Sequence, residues 1–181
     1  YKALQTRVGR FLKGSSQTLA KSLAAAGITL YEGRGVCAGK GQAIVRSESG
    51  EEMLTYDNII LSCGSSSASF PGLAPDGDAV LDSTGVLNLP EVPESLIIVG
   101  AGAIGLELGD FFGMMGSKIT IVEAAPHIAP TEDADIAKEM DRVQSKAGRT
   151  CITGVMAKSL VTKDGQAELT LGDGRVLTAS K

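Results

Sequence analysis

An α/β fold in two parts is what this sequence predicts: an antiparallel β meander behind a long helix, then a parallel strand–turn–helix–strand unit. Three observations carry it. Apolar residues in the first part of the chain recur at three- and four-residue steps. Short apolar runs then alternate with glycines. From Leu96 an apolar run enters Gly-x-Gly-x-x-Gly, continues as a helical pattern and ends in a second apolar run.

Taken in order, residues 2–26 read as a helix, because Leu4, Val8, Phe11, Leu12, Leu19 and Leu23 share one face. Gly14-Ser15-Ser16 is the candidate break in it, and Gly27 the C-terminal stop. Strands follow at Ile28–Tyr31, Val36–Ala38, Ala43–Ser47 and Met53–Tyr56, separated by glycines that suit tight turns. Asn58–Cys63 is a continuous apolar run, expected as a strand covered on both faces. Residues 64–90, rich in Ser, Gly, Pro and Asp, read as loop and crossover. The second unit then has a strand at Leu96–Val99, a helix at Ala103–Met115 and a strand at Lys118–Glu123. A helix at Asp133–Ala147 follows, with Thr131 or Asp133 as its cap. Further strands are expected at Thr150–Ile152, Met156–Thr162 and Glu168–Leu171, with Asp164-Gly165 and Asp173-Gly174 as hairpin turns. The chain stops in what reads as another strand.

Composition narrows the function classes. The 181 residues are 43% apolar and 21% charged, enough for a soluble domain with a real core. Trp is absent and only 3 Tyr and 4 Phe are present, so aromatic stacking is not the expected mode of binding. A net charge of −4 argues against nucleic acid as a partner. Lys2, Arg7, Arg10, Lys13 and Lys21 all precede the first acidic residue, Glu32. They suit a solvated helix face, or docking to an acidic or phosphate-bearing partner. Cys37, Cys63 and Cys151 form no zinc or CxxC spacing, so free thiols in a reducing compartment, the cytoplasm, are expected. Leu96–Gly116 is apolar but carries Glu107 and Asp110 and splits into strand, turn and helix, so no membrane span is expected. Both chain ends read as cut.

The glycine motif carries the chemistry. Gly100-x-Gly102-x-x-Gly105 follows a strand, opens a helix, and has the acidic Glu123 at the end of the next strand, 18 residues after Gly105. That is the dinucleotide fingerprint of a Rossmann-like βαβ unit. Gly100 permits the turn, Gly102 lets a pyrophosphate approach the backbone, and Gly105 lets helix and strand pack closely. The helix N-terminus, at Ala103 and Ile104, faces the phosphates, and Glu123 accepts from the adenosine ribose. Ala124-Ala125-Pro126 offers no cation for a 2′-phosphate, so NAD is preferred to NADP. The same fingerprint also fits FAD. Packing alone is the competing reading of the glycines. Glu107 reads equally as an acid favoured by the helix dipole or as a functional group. His127, the single histidine, reads as a loop residue.

The stretch Ile97-Ile-Val-Gly-Ala-Gly-Ala-Ile-Gly-Leu-Glu-Leu-Gly109 resembles the NAD-site motif of the dihydrolipoamide dehydrogenases, members of the pyridine nucleotide–disulfide oxidoreductases. So do Gly116-Ser-Lys-Ile-Thr-Ile-Val-Glu123 and Pro130 with Asp133-Ala-Asp-Ile-Ala-Lys138. Tyr56-Asp-Asn-Ile-Ile-Leu-Ser-Cys-Gly-Ser65 is similar to the segment leaving the FAD domain in that family, and Asp82-Ser83-Thr84 to its hinge. The resemblance covers residues 1 to about 178. It implies an FAD/NAD(P)-binding fold, with residues 1–88 the later part of an FAD-binding domain and crossover, and 89–181 an NAD-binding domain whose last strand is missing. It also implies that Glu107 lies beside nicotinamide and flavin, that Ala103 occupies the position gating the nicotinamide pocket, and that Gly64 and Ser65 lie beside the flavin. Cys63 and Ser66-Ser67 depart from the family pattern there.

The resemblance further implies an enzyme passing electrons from dihydrolipoamide through a disulfide and FAD to NAD+, a homodimer, and association with a 2-oxo acid dehydrogenase complex. The family's CxxxxC redox pair, first FAD-binding unit and C-terminal catalytic His and Glu are absent from these residues. No catalytic residue and no metal ligand is therefore assigned, and the chain alone is expected to be inactive. Another NADH-dependent disulfide or flavin reductase, a redox-silent dinucleotide-binding module, and a structural domain with a vestigial turn are the other readings.

Overall fold

A computed structural model of the chain describes residues 1–68 and 72–181. It forms two compact units, Ala3–Ser65 and Ser66–Lys181, the latter joined by Tyr1–Lys2.

In the first unit, α1 (Lys2–Ala25) is one helix of 24 residues with no buried residue. Gly14-Ser15-Ser16 does not break it. The hydroxyls of Thr18 and Ser22 instead donate to the carbonyls one turn back, at Gly14 and Thr18. At its end the Gly27 amide donates to Ala24 O and the Ile28 amide to Leu23 O, a Schellman pair that satisfies two end carbonyls. Three strands follow, β1 (Arg34–Gly39), β2 (Gln42–Ser47) and β3 (Gly50–Thr55), in an antiparallel meander ordered β1-β2-β3. The register places Val36 opposite Ile44 and Ile44 opposite Met53.

Two expected strands are corrected. Ile28–Tyr31 is irregular backbone. So is Asn58–Cys63, where Ile60 is 90% and Leu61 70% exposed. Apolar residues make a strand only where a neighbouring strand receives their N–H and C=O groups. Among the described residues no strand pairs with either run. Of the loop expected over 64–90, residues 69–71 lie outside the described residues. The same stretch holds a short helix that the composition hid, α2 (Ser83–Leu87), capped by Asp82, whose Oδ1 accepts from the Gly85 amide at 2.7 Å.

The second unit is built on a parallel sheet of β4 (Ser95–Val99), β5 (Lys118–Val122) and β6 (Thr150–Ile152), ordered β4-β5-β6. Helices α3 (Ala103–Met114) and α4 (Ala134–Lys146) make the crossovers. Of the two expected cap residues, Asp133 is the N-cap of α4, although its side chain makes no cap hydrogen bond, while the Thr131 hydroxyl donates to Glu132. An antiparallel meander follows, β7 (Ala157–Lys163), β8 (Gln166–Leu171) and β9 (Val176–Ala179), with turns at the two Asp-Gly pairs. Lys181 then runs beside β4 in the parallel sense: its amide donates to Ser95 O and its carbonyl accepts from Ile97 N.

The core explains why these elements stay together. Phe112 and Leu106 of α3 pack on Ile119 and Ile121 of β5 and on Leu96 of β4. Phe112 and Ile121 are both 0% exposed. Val122, Leu169 and Leu171 form a second cluster under the meander. At about 25 cal/mol per Å², burial of such side chains contributes roughly 1.5–3 kcal/mol each. No helix among the described residues is long and apolar enough to cross a membrane.

Candidate functional site

β4 ends at Val99, and Gly100 turns the chain with φ of 104°, a left-handed backbone that side-chain-bearing residues rarely adopt. Its amide donates to Val122 O at 2.8 Å, so the turn is hung on the end of β5. Gly102 is the N-cap of α3 and gives no side-chain cap to the helix amides. A Cβ built on Gly102 meets nothing within 4 Å, so the space before those amides is open. Gly105 shows the opposite geometry. A Cβ there would stand 2.1 Å from the Gly100 carbonyl oxygen, backbone against side chain with no room to give. Close packing of helix on turn therefore requires glycine at that position. An uncapped helix N-terminus with open backbone before it is suited to an anion.

Glu123 follows β5 directly and is half-buried. Its Oε2 accepts from the Ala101 amide at 2.7 Å and its Oε1 from the Ala125 amide at 2.8 Å. Each carboxylate oxygen has a further lone pair, so acceptor capacity for ligand hydroxyls remains. The fold thus brings Gly100, Gly102, Ala103, Ile104, Gly105 and Glu123 to one end of the parallel sheet. Ala103 is exposed and Ile104 is 62% exposed at the first turn of α3. Glu107 is exposed one turn further along the same helix face.

A cavity of about 630 Å³ opens beside the turn, bounded by Gly100, Gly102, Ala103 and Ile104 and by Leu81 and Val86. Neither Glu107 nor Glu123 lines it. Gly64 and Ser65 belong to the other compact unit, in irregular backbone where both are exposed. His127 is a loop residue, its Nδ1 3.0 Å from the carbonyl oxygen of Ile128.

Two residues at the turn had no signal in the sequence. Ala101 is 0% exposed, and both of its backbone groups are engaged. Ala129, 4% exposed, takes φ of 48° and donates its amide to Ala101 O at 2.9 Å. Alanine carries no functional group, so only backbone geometry reveals either role.

Known proteins match this arrangement. The sequence pattern described as pyridine nucleotide-disulphide oxidoreductase matches residues 5–181. A dihydrolipoyl dehydrogenase of Chlorobaculum tepidum is 37% identical over 151 residues, 83% of this chain and 32% of that protein. A leghemoglobin reductase of Glycine max is 38% identical over 134 residues, 71% of this chain and 26% of that protein. Among solved structures, LpdA from Mycobacterium tuberculosis superposes with a TM-score of 0.90 at 25% identity, covering 99% of this chain and 40% of that one. The HOCl-induced flavoprotein disulfide reductase RclA from Escherichia coli, solved as a Cu(II) complex, gives 0.89 at 26% identity over 99% of this chain and 41% of its own. The chain spans about a third of the length of the curated relatives it matches. With the glycine turn, the acidic strand end and the parallel sheet all in place, and the family pattern matched along nearly the whole length, the chain belongs to the pyridine nucleotide-disulphide oxidoreductase family.

Proposed function

We propose that this chain is the NAD-binding portion of a dihydrolipoamide dehydrogenase-like flavoprotein, with residues 89–181 forming the NAD-binding domain and residues 1–88 the later part of an FAD-binding domain and its crossover. In such an enzyme NAD+ supplies the hydride acceptor and FAD the electron carrier from a dithiol–disulfide pair, and the protein holds them in place. The observation that carries the reading is the open, uncapped start of α3 beside the carboxylate of Glu123.

The residues present fit a dinucleotide. The α3 amides at Ala103 and Ile104 face where a pyrophosphate would lie, and Gly102 leaves its approach clear. Glu123 accepts ribose hydroxyls through its remaining lone pairs. No Lys or Arg stands in Ala124-Ala125-Pro126 to hold a 2′-phosphate, which favours NAD over NADP. Glu107, on the same helix face, stands toward the nicotinamide end. Gly64 and Ser65 would serve the flavin. Unpaired Cys37, Cys63 and Cys151 suit a reducing compartment such as the cytoplasm. The whole protein would be a homodimer serving a 2-oxo acid dehydrogenase complex. The likeness to RclA supports a second reading within the family, an NADH-dependent flavin or disulfide reductase.

The test is a titration of the pure chain with NADH and, separately, NADPH, followed by nicotinamide fluorescence. Saturable binding with NADH preferred supports the reading. A folded chain that binds neither overturns it. Dithiol-dependent NADH formation by this chain would overturn its assignment as a binding portion only, since its cysteines lie too far apart in sequence for a CxxxxC pair.

A further inference from the structure

We infer that Glu123 is a positioning residue for the phosphate-facing turn, holding it closed before any ligand arrives, in partnership with the strained Ala129. The inference rests on the dinucleotide reading above for the purpose of the turn, but its geometry stands independently.

Ala101 is the central residue of the turn. It has no polar side chain, it is completely buried, and its peptide groups must find partners inside the protein. They find them on a single segment. The Ala101 amide donates to Glu123 Oε2 at 2.7 Å, and the Ala101 carbonyl accepts from the Ala129 amide at 2.9 Å. The segment between is itself tied down. The Glu123 amide donates to Ile152 O at 2.8 Å, the Ala125 amide to Glu123 Oε1 at 2.8 Å, and the Gly154 amide to Ala125 O at 2.8 Å. The carboxylate is therefore a strut between the turn and the loop after β5, with one oxygen on each.

Ala129 marks the other end. It is one of two non-glycine residues with positive φ among those described, at 48°, and the other, Asp164, lies in a hairpin turn. A buried alanine in the left-handed region persists only where its surroundings over-determine it. Here that conformation aims the Ala129 amide at Ala101 O, while neighbouring Ile128, 1% exposed, anchors the loop in the core. A hydrogen bond from an amide to a carboxylate is about twice as strong as a neutral one, and a buried amide left without its acceptor is expensive. Removing the Glu123 carboxylate should thus loosen the turn itself, in addition to removing its hydrogen bonds to ribose.

The experiment separates these effects on the full 181-residue chain. Amide hydrogen exchange is measured in wild type and Glu123→Ala, and both are titrated with adenosine 5′-diphosphate and with its 2′,3′-dideoxy analogue. The dideoxy ligand lacks the hydroxyls that Glu123 would meet, so any loss with it reports on the turn. The expected results are slow exchange at the wild-type Ala101 amide and exchange about tenfold faster or more in the variant. The Ile98 and Ile121 amides should be unchanged, and dideoxy affinity should fall about tenfold. Unchanged exchange at Ala101 overturns the inference, as does equal binding of the dideoxy ligand by both proteins. If Glu123→Ala does not fold, Glu123→Gln decides. Its side-chain NH2 must face either the Ala101 or the Ala125 amide, so one of them should exchange faster, and two amides as slow as in wild type overturn the inference. If the wild type binds neither nucleotide, the dinucleotide reading fails, and the exchange comparison still decides the strut.

Discussion

Arg149 lies against the bare backbone of Gly113: a Cβ at that glycine would stand 2.8 Å from the Arg149 Nε. The guanidinium cannot easily retreat. It is 6% exposed, pairs with Asp110 Oδ1 at 2.7 Å, and donates to Gln144 Oε1 at 2.9 Å. It thereby ties α3 to α4 just ahead of β6, at the end of the parallel sheet opposite the glycine turn. Alanine is the better helix former by about 1 kcal/mol, yet overpacking a fixed group costs about 1–3 kcal/mol. Gly113→Ala should therefore destabilise the chain, by up to about 2 kcal/mol, in urea denaturation. A stabilised variant would show that the arginine gives way.

Gly105→Ala should strike binding. Its Cβ would stand 2.1 Å from the Gly100 carbonyl oxygen, so the turn or the helix must shift. NADH affinity should fall at least about tenfold, equivalent to about 1.4 kcal/mol, while circular dichroism still shows the helices. Undiminished affinity would mean that the turn does not face the cofactor.

Acid should expose the role of Asp76. Its carboxylate accepts from the Thr162 hydroxyl and from the Asp78 and Val80 amides, and these bonds lower its pKa from 3.8 to about 2. A folded-state value below the unfolded one means that the carboxylate contributes stability above about pH 3.8. That contribution disappears as pH falls toward about 2. The stability difference between wild type and Asp76→Asn, measured by urea midpoints from neutral pH downward, should shrink across that window. A difference independent of pH would remove the carboxylate from the account.

Thiol chemistry should sort the cysteines by burial. Cys37 and Cys63 are exposed and unpaired, whereas Cys151 in β6 is half-buried. Burial first, and then the charge of Asp141, push its thiol up, against an opposing effect of Arg149. Ellman's reagent near pH 8 should give a fast phase at Cys37 and Cys63 and a slow one at Cys151, which becomes fast on unfolding. Equal rates at all three would mean that β6 does not shield its cysteine.

Much of the second unit was legible because each of its signals is local. The apolar run at Leu96, the three glycines, the helical pattern to Met115 and the acid at Glu123 all act through neighbours close in sequence, and periodicity reports such contacts directly. The sequence by itself therefore determined the parallel βαβ unit, the glycine turn at the start of α3 and the acid at the end of β5. Long-range partners decided the rest. Asn58–Cys63 has the composition of a buried strand, yet it forms none, because a strand exists only through a ladder with another strand. Ala101 and Ala129 are chemically silent, and only folding sets their peptide groups against each other and against Glu123. Nothing local in the sequence singles out Arg149, whose burial comes only when α3 and α4 close over it. A side chain's chemistry is written at its own position, but its burial and its partners are set by residues far along the chain, and those only the tertiary structure brings together.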